Sequence, residues 1–256
     1  MIPHNVIEGP GYGPVVVLHN SLGCALRMWD PQVPTLIEAG LRVLRYDYRG
    51  HGQSKSTPGA YTLADLGADA LDLMSKHSLT RVVHVGLSLG GMVAMWLAEN
   101  APDAVTGMVL CSTSADLQPS SAWRDRAELV RTSGTTIMAD ALVPRWFSPS
   151  YLAQNPDATD KFREQIITTT TDGFAGCCDA IATMDLLPKL DIINVPTSVL
   201  VGQQDPGTPV EHARRIVDCV SGATLTVLNP GSHLLNVERP AAVSAAILAM
   251  TSYPIA

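Results

Sequence analysis

Charged side chains are scarce in this sequence, and positively charged ones are scarcer than negatively charged ones. Of the 256 residues only 16% are Asp, Glu, Lys or Arg, and the formal net charge is −7. No stretch is rich in lysine and arginine, so the chain has no basic footprint for nucleic acid. We therefore expect no nucleic-acid partner, and an anionic substrate would need a locally positive pocket.

Long apolar segments and a leader pattern are also missing. Residues 1–5 lack the basic region and apolar core that begin a signal peptide. No segment reaches the uninterrupted apolar length that a membrane span requires. We therefore expect a cytoplasmic protein that makes no membrane contact.

Cysteine is infrequent, and its spacing carries no metal-binding or redox pattern. The five cysteines are scattered without C-x-x-C spacing, and the seven histidines show no H-x-x-x-H spacing. Free thiols in a reducing compartment account for such a set. We expect neither a metal site nor a cofactor.

What the chain does contain is a regular alternation of strand and helix patterns. Short apolar runs that predict strands are found at residues 15–18, 42–47, 107–111, 197–201 and 225–228, and another begins at Val82. Helical periodicity lies between them, for example at 62–77, where Thr62 is the predicted N-cap, and at 210–220 and 240–250. This alternation predicts an α/β fold with a mostly parallel sheet flanked by helices.

The alternation is interrupted between residues 116 and 189. This segment contains no convincing strand and consists of amphipathic helical pieces separated by prolines. We predict a helical cap at 116–189, inserted into a core formed by residues 1–115 and 190–256. The cap is long enough to define a selective pocket.

The most informative stretch is residues 82–93, which contains a G-x-S-x-G motif formed by Gly86, Ser88 and Gly90. A β-branched apolar run precedes the motif and a segment with helical spacing follows it, which is the context of a nucleophile elbow. The two glycines leave room where strand and helix pass close to each other. We predict that Ser88 is a nucleophile at the carboxyl end of a strand.

A serine hydroxyl needs an adjacent base that is itself oriented by a third group. Asp205 and His233 each follow a predicted strand, and with Ser88 they occur in the order Ser, Asp, His. We predict that His233 is the general base and then the general acid, and that Asp205 orients it. If Asp205 does not, Asp179 or Asp185 are the alternatives, although neither follows a strand.

Two backbone amides are predicted to form the oxyanion hole of this site. One is the N–H of Leu89 at the start of the helix, and the other is the N–H of Ser21, on the loop after the first predicted strand. We interpret His19 as a residue that shapes this loop. His51 is interpreted as a turn residue and His84 as a core histidine.

Together these motifs resemble the α/β-hydrolase superfamily over essentially the whole chain. Several segments are more narrowly similar to the 3-oxoadipate enol-lactonases. They belong to the front loop, which follows the first predicted strand, to the cap, and to the histidine loop, which carries His233. These segments are residues 20–23, 28–32, 44–47, 49–52, 145–147, 176–180 and 233–238. The chain departs from the superfamily at Asn20, where glycine is usual, but asparagine also adopts a left-handed conformation.

The narrower resemblance implies hydrolysis of a small enol-lactone with a free carboxylate, in bacterial aromatic catabolism and without a cofactor. Arg145 and Trp146 in the cap are candidates for binding that carboxylate, because a guanidinium fork matches it. The alternative is that Trp146 belongs to the cap core and Arg145 is a solvated surface charge.

Other functions remain open on the sequence. One group keeps the chemistry and changes the substrate: a carboxylesterase, or another ester, lactone or C–C hydrolase of a specific pathway. A second is a cofactor-free haloperoxidase or perhydrolase, and a third is a binding protein that uses the same fold without catalysis. The sequence also leaves a homo-oligomer open.

Overall fold

A single sheet organises the structure, a computed structural model that describes residues 1–252, all with side chains except residue 158. Its strands are β1 (Asn5–Glu8), β2 (Val15–His19), β3 (Arg42–Tyr46), β4 (Val82–Leu87), β5 (Val105–Cys111), β6 (Thr197–Gly202) and β7 (Thr224–Leu228). They lie in the order β1-β3-β2-β4-β5-β6-β7. Every neighbouring pair is parallel except β1 and β3, so the predicted mostly parallel sheet is confirmed.

The central strands are apolar because helices cover both faces of the sheet. All six residues of β4 are buried, and most of β2 and β5 is buried as well. The edge strand β1 was not predicted. Its four residues are only half-buried, and Asn5 and Glu8 at its two ends are polar, so no buried-strand pattern marks it.

Eleven α-helices surround or follow the strands within residues 1–252. They are α1 (Val33–Glu38), α2 (Leu63–Lys76), α3 (Leu89–Asn100), α4 (Ser120–Ser133), α5 (Thr136–Trp146), α6 (Pro149–Gln154), α7 (Ala158–Thr168), α8 (Thr171–Thr183), α9 (Val210–Cys219), α10 (Leu235–Glu238) and α11 (Pro240–Thr251). The predicted N-cap of α2 is confirmed. Thr62 Oγ1 accepts the Asp65 N–H at 3.2 Å, and the Asp65 carboxylate accepts the Thr62 N–H at 2.9 Å.

Five of these helices, α4 to α8, lie between β5 and β6, where the sequence predicted a helical insertion. Within this segment α4 packs on α8 and α5 packs on α7. The division into a core (1–115 and 190–256) and a cap (116–189) stays a prediction. We use the word cap for residues 116–189.

No helix in the described part of the chain is long and apolar enough to cross a membrane. The cytoplasmic location stays a prediction.

Candidate active site

Ser88 occupies a strained turn between β4 and α3. Its φ and ψ are 57° and −117°, a backbone conformation that residues other than glycine rarely adopt. Hydrogen bonds on both sides hold it there: the Ser88 N–H donates to the Cys111 carbonyl at 2.9 Å, and Thr113 Oγ1 donates to the Ser88 carbonyl at 2.7 Å. The turn is therefore fixed by the end of β5 and the residues that follow it.

The glycines beside Ser88 are required by close backbone approach. A Cβ atom on Gly86 would lie 2.2 Å from the carbonyl group of Gly90, and one on Gly90 would lie 2.1 Å from the carbonyl oxygen of His19. Neither position accepts a side chain without moving the backbone. This packing brings the serine turn against His19 at the end of β2.

Asp205 and His233 are joined by a hydrogen bond. His233 Nδ1 donates to Asp205 Oδ2 at 2.8 Å, and both side chains are buried. Asp205 also accepts the Gly207 N–H at 2.8 Å, the Thr208 N–H at 3.1 Å and the Thr208 hydroxyl at 2.7 Å. The carboxylate is thus held from two sides, and it fixes the tautomer in which Nε2 of His233 carries no proton.

The environment of Asp205 favours the charged carboxylate. Burial alone would raise its pKa, but the charge of His233 and the hydrogen bonds from His233 and Thr208 outweigh burial and lower the pKa. Neither alternative acid lies in this position. Asp179 forms an ion pair with Arg131, and Asp185 is exposed.

A cavity of about 190 Å³ connects the serine, the histidine and the cap. Its walls include Ser88, His233, Trp123, Arg126, Arg145 and Trp146. Within residues 1–252, Ser88 Oγ does not form a hydrogen bond with His233. Such bonds are often long in enzymes without substrate and tighten in the complex.

The loop after β2 carries the predicted second oxyanion donor. The Ser21 N–H donates to the sulfur of Met28 at 3.3 Å, and a thioether is a weak acceptor. Leu22, which also lines the cavity, has an N–H without an acceptor among the described residues. Leu89 is the first residue of α3, so its N–H has no acceptor within the helix.

A chain of hydrogen bonds through two buried histidines holds the end of β2, where the loop that carries Ser21 begins. Tyr46 donates to His19 Nδ1 at 2.7 Å, His19 Nε2 donates to His84 Nδ1 at 2.8 Å, and His84 Nε2 donates to the Ala104 carbonyl at 3.4 Å. The carbonyl at the end can only accept, which sets the direction of the whole chain. Burial lowers the pKa of His84 to about 4 and lowers that of His19 well below its usual value, so both rings are neutral. His84 is therefore a core histidine, as predicted.

His51 does more than the turn role that the sequence indicated. It lies in the turn, but it is fully buried, and its Nε2 accepts the Gly23 N–H at 3.0 Å. Its Nδ1 donates to the Arg49 carbonyl at 3.0 Å. His51 thus ties the loop after β3 to the loop that carries Ser21, although the sequence spacing gave no sign of this contact.

A comparison with protein families decides the classification. Residues 14–240 match the family described as the alpha/beta hydrolase fold. The chain belongs to this family. The order of strands, the strained serine turn and the Asp205–His233 pair are the structural counterpart of that match.

Relatives of this α/β hydrolase include lactone and ester hydrolases. It is 34% identical over 237 residues to 3-oxoadipate enol-lactonase 2 of Acinetobacter baylyi, covering 93% of this chain and 88% of the relative. The crystal structure of the enol-lactonase from Burkholderia xenovorans LB400 is similar with a TM-score of 0.93 and 36% identity, covering 96% of this chain and 95% of that one. A malate-bound thermophilic esterase from Thermogutta terrifontis is similar with a TM-score of 0.89 and 29% identity, covering 95% and 91%.

The cap residues predicted to bind substrate both line the cavity, but in different ways. Trp146 is 6% exposed and packs edge-on against Phe162, so it is part of the cap core as well as of the cavity wall. Arg145 is exposed and reaches the cavity from the end of α5. Their role in binding stays a prediction.

Arg126 was not among the site residues predicted from the sequence. This half-buried side chain on α4 lines the cavity, and its guanidinium lies 4.3 Å from the centre of the Trp123 ring. Burial, and to a smaller extent the nearby Arg145, lower the pKa of Arg126. The spacing of Trp123 and Arg126, three residues apart on one helix, was a signal that could have indicated the pair.

The two cavity arginines differ from several others in the chain. Five arginines form ion pairs with carboxylates: Arg27, Arg45, Arg49, Arg131 and Arg163. Arg126 and Arg145 have no carboxylate partner within residues 1–252. The cavity is thus locally positive in a chain of net charge −7.

No group of three or more metal-binding side chains is found in the part of the chain that the structure describes.

Proposed function

We propose that this α/β hydrolase is a serine hydrolase of small enol-lactones that carry a carboxylate, with 3-oxoadipate enol-lactone as its substrate. The observation that carries the proposal is the content of one cavity. Ser88 and the histidine paired with Asp205 line it together with two arginines that lack a carboxylate partner in the described structure.

The size and charge of the cavity select the substrate class. A volume of about 190 Å³ is below the roughly 300–1,000 Å³ typical of sites for drug-sized ligands, so it suits a small molecule. The guanidinium groups of Arg126 and Arg145 repel each other, and a bound carboxylate relieves this repulsion while accepting charged hydrogen bonds. The identity to two enol-lactonases supports the lactone as the reacting group.

Acylation begins with proton transfer from Ser88 Oγ to Nε2 of His233. The serine oxygen forms a bond to the lactone carbonyl carbon, and the carbonyl oxygen becomes an oxyanion. When this intermediate collapses, the bond between the acyl carbon and the ring oxygen breaks, and the proton on His233 passes to the departing enol oxygen. The enol then relaxes to a ketone. Asp205 stabilises the charged imidazole in this step.

Deacylation uses the same groups with water as the nucleophile. His233 takes a proton from the water, which attacks the ester carbon on Ser88, and returns the proton to Ser88 Oγ. The net reaction adds one water to the lactone and gives the keto acid. The leaving group stays tethered to the acyl chain, and its change from enol to ketone prevents the ring from closing again.

The oxyanion is assigned to the amides of Leu89 and Ser21. The Ser21 amide is engaged by the sulfur of Met28. An oxyanion is a much stronger acceptor than a thioether, so it displaces this contact as charge develops. The amide of Leu22, which has no acceptor among residues 1–252, is the rival donor on the same loop.

The test compares 3-oxoadipate enol-lactone with p-nitrophenyl acetate as substrates of the wild type and of Ser88→Ala. The proposal expects strong turnover of the lactone and its loss in Ser88→Ala. Turnover of the acetate alone would reject the lactone and favour a carboxylesterase. Formation of peracid from hydrogen peroxide and a carboxylate, without lactone turnover, would favour a perhydrolase. Binding of the lactone without turnover by the wild type would favour a non-catalytic receptor.

A further inference from the structure

A set of hydrogen bonds joins the end of α5 in the cap to the loop that carries His233. The Ser232 hydroxyl donates to the Arg145 carbonyl at 3.1 Å, and the Leu234 N–H donates to the Trp146 carbonyl at 2.9 Å. The two residues that flank His233 are therefore bonded to Arg145 and Trp146, two of the cap residues that line the cavity. We call this set of contacts, between residues 145–148 and 232–238, the cap–histidine seam.

Glu238 closes the seam with its two carboxylate oxygens. One oxygen accepts the N–H of Ser148, just after α5, and the other accepts the N–H of Ser232 at 2.6 Å. Both serines are almost completely buried, at 2% and 1% exposed. A carboxylate that accepts buried amides makes strong, charge-assisted bonds, and removing it leaves those amides without an acceptor.

We propose that Glu238 is a positioning residue that fixes the end of α5, and with it Arg145, relative to His233. The inference rests on the proposed function for its kinetic consequence, because it concerns a substrate held by an arginine at one end and attacked at the other. A carboxylate bound at the cap then sets the distance of the lactone carbonyl from Ser88 and His233. Binding at the remote group contributes to the rate only if this geometry is held.

The seam also restricts which part of the cap can move. Displacing the end of α5 from the core would break the bonds to Ser232 and Leu234 and leave the amide of Ser148 unpaired. Any opening of the cavity must therefore occur elsewhere in the cap, while the end of α5 and the histidine loop stay together.

The decisive variant is Glu238→Gln, which keeps the size of the side chain and replaces one acceptor oxygen with an amide group that cannot accept an N–H. Glu238→Asp keeps the charge on a shorter side chain. Glu211→Gln is the matched control, because Glu211 is exposed on α9 and lies outside the cavity.

The first readout is amide hydrogen exchange, which needs no substrate. Glu238→Gln is expected to speed exchange at Ser148 and Ser232 together, with Glu211→Gln unchanged and Glu238→Asp in between. Unchanged exchange at both amides would overturn the inference, and so would faster exchange spread evenly over the whole protein, which indicates general destabilisation. This readout holds even if the lactone proves not to be the substrate.

The second readout is the kinetic split between substrates, normalised to active sites by titration of Ser88. For the enol-lactone, kcat of Glu238→Gln is expected to fall about 10- to 100-fold, as for other small misplacements of a substrate. p-Nitrophenyl acetate has no carboxylate for the arginines to bind. For this substrate the fold-decrease in kcat is expected to be at least ten times smaller than for the lactone. Glu238→Asp is expected to recover part of the lactone rate. Equal loss for both substrates, or no loss for the lactone, would overturn the positioning role.

Discussion

Thr208 and His233 share one oxygen of Asp205: the Thr208 hydroxyl donates to Oδ2 at 2.7 Å and His233 Nδ1 donates to the same atom at 2.8 Å. Thr208 lies three residues after Asp205, in the short loop before α9. The hydroxyl therefore stabilises the charge of the carboxylate that orients the proposed general base.

Replacing Thr208 with valine tests this relationship. Valine has the shape of threonine without the hydroxyl, so the pKa of Asp205 is expected to rise and the charged imidazole to lose support. We expect kcat/KM to fall about tenfold, the value of one hydrogen bond to a charged group. The acid limb of the pH–rate profile is expected to change as well. Thr226→Val, at an exposed position on β7, is the control. An unchanged rate and profile would show that the hydroxyl does not support Asp205.

The contact between Ser21 and Met28 gives a test of the oxyanion hole. Met28→Leu removes the sulfur at similar size and is expected to leave kcat within about threefold. Met28→Gln offers an amide oxygen, a stronger acceptor that competes for the Ser21 N–H, and kcat is expected to fall up to about 100-fold, the cost of one oxyanion donor. Equal kcat values for the two variants, at matched thermal stability, would show that the Ser21 amide does not belong to the oxyanion hole. The Leu22 amide would then take its place.

Three buried histidines predict a loss of stability in mild acid. Burial lowers the pKa of His51 and His84 to about 4 and lowers that of His19 well below its usual value. Below pH 6.5 the unfolded chain binds protons that the folded protein does not. The contribution of the neutral rings to the free energy of unfolding is therefore fully present above pH 6.5. It is lost as the pH drops toward 4, by about 3 kcal/mol for each ring whose pKa is near 4.

Urea unfolding at a series of pH values between 7 and 5 measures this effect. The slope of the free energy of unfolding against pH is expected to approach the uptake of three protons on unfolding, one for each of these rings. A slope of less than one proton would mean that the rings are charged, or exposed to solvent, in the folded state.

Ser88, Asp205 and His233 could be predicted because each residue follows a strand pattern. Parallel strands end at the same edge of a sheet, so residues that follow β4, β6 and β7 meet there whatever the details of packing. The catalytic roles of the three residues stay a proposal, but the pairing of Asp205 with His233 follows from this topology.

The place of Arg126 in the cavity wall and the contacts of Glu238 could not be predicted because they depend on tertiary packing. The rotation of α4 about its axis decides whether Arg126 lines the cavity or contacts solvent, and that rotation is set by packing against α8. Glu238 accepts the amide of Ser148, 90 positions away in the sequence. No local pattern in either segment encodes such a contact.

We propose that Arg126 and Arg145 bind the carboxylate of the substrate. The measurement is kcat/KM of Arg126→Leu, Arg145→Leu and the double variant on 3-oxoadipate enol-lactone and on p-nitrophenyl acetate. Arg124→Leu is the matched control, since Arg124 is exposed on the same helix and lies outside the cavity.

We expect kcat/KM for the lactone to fall about 10- to 100-fold in each single variant, the loss of a hydrogen bond to a charged group, and further in the double variant. The acetate rate is expected to stay within about threefold of wild type, and Arg124→Leu to match wild type on both substrates. Equal losses on the lactone and the neutral ester, or none on the lactone, would contradict carboxylate recognition by these arginines.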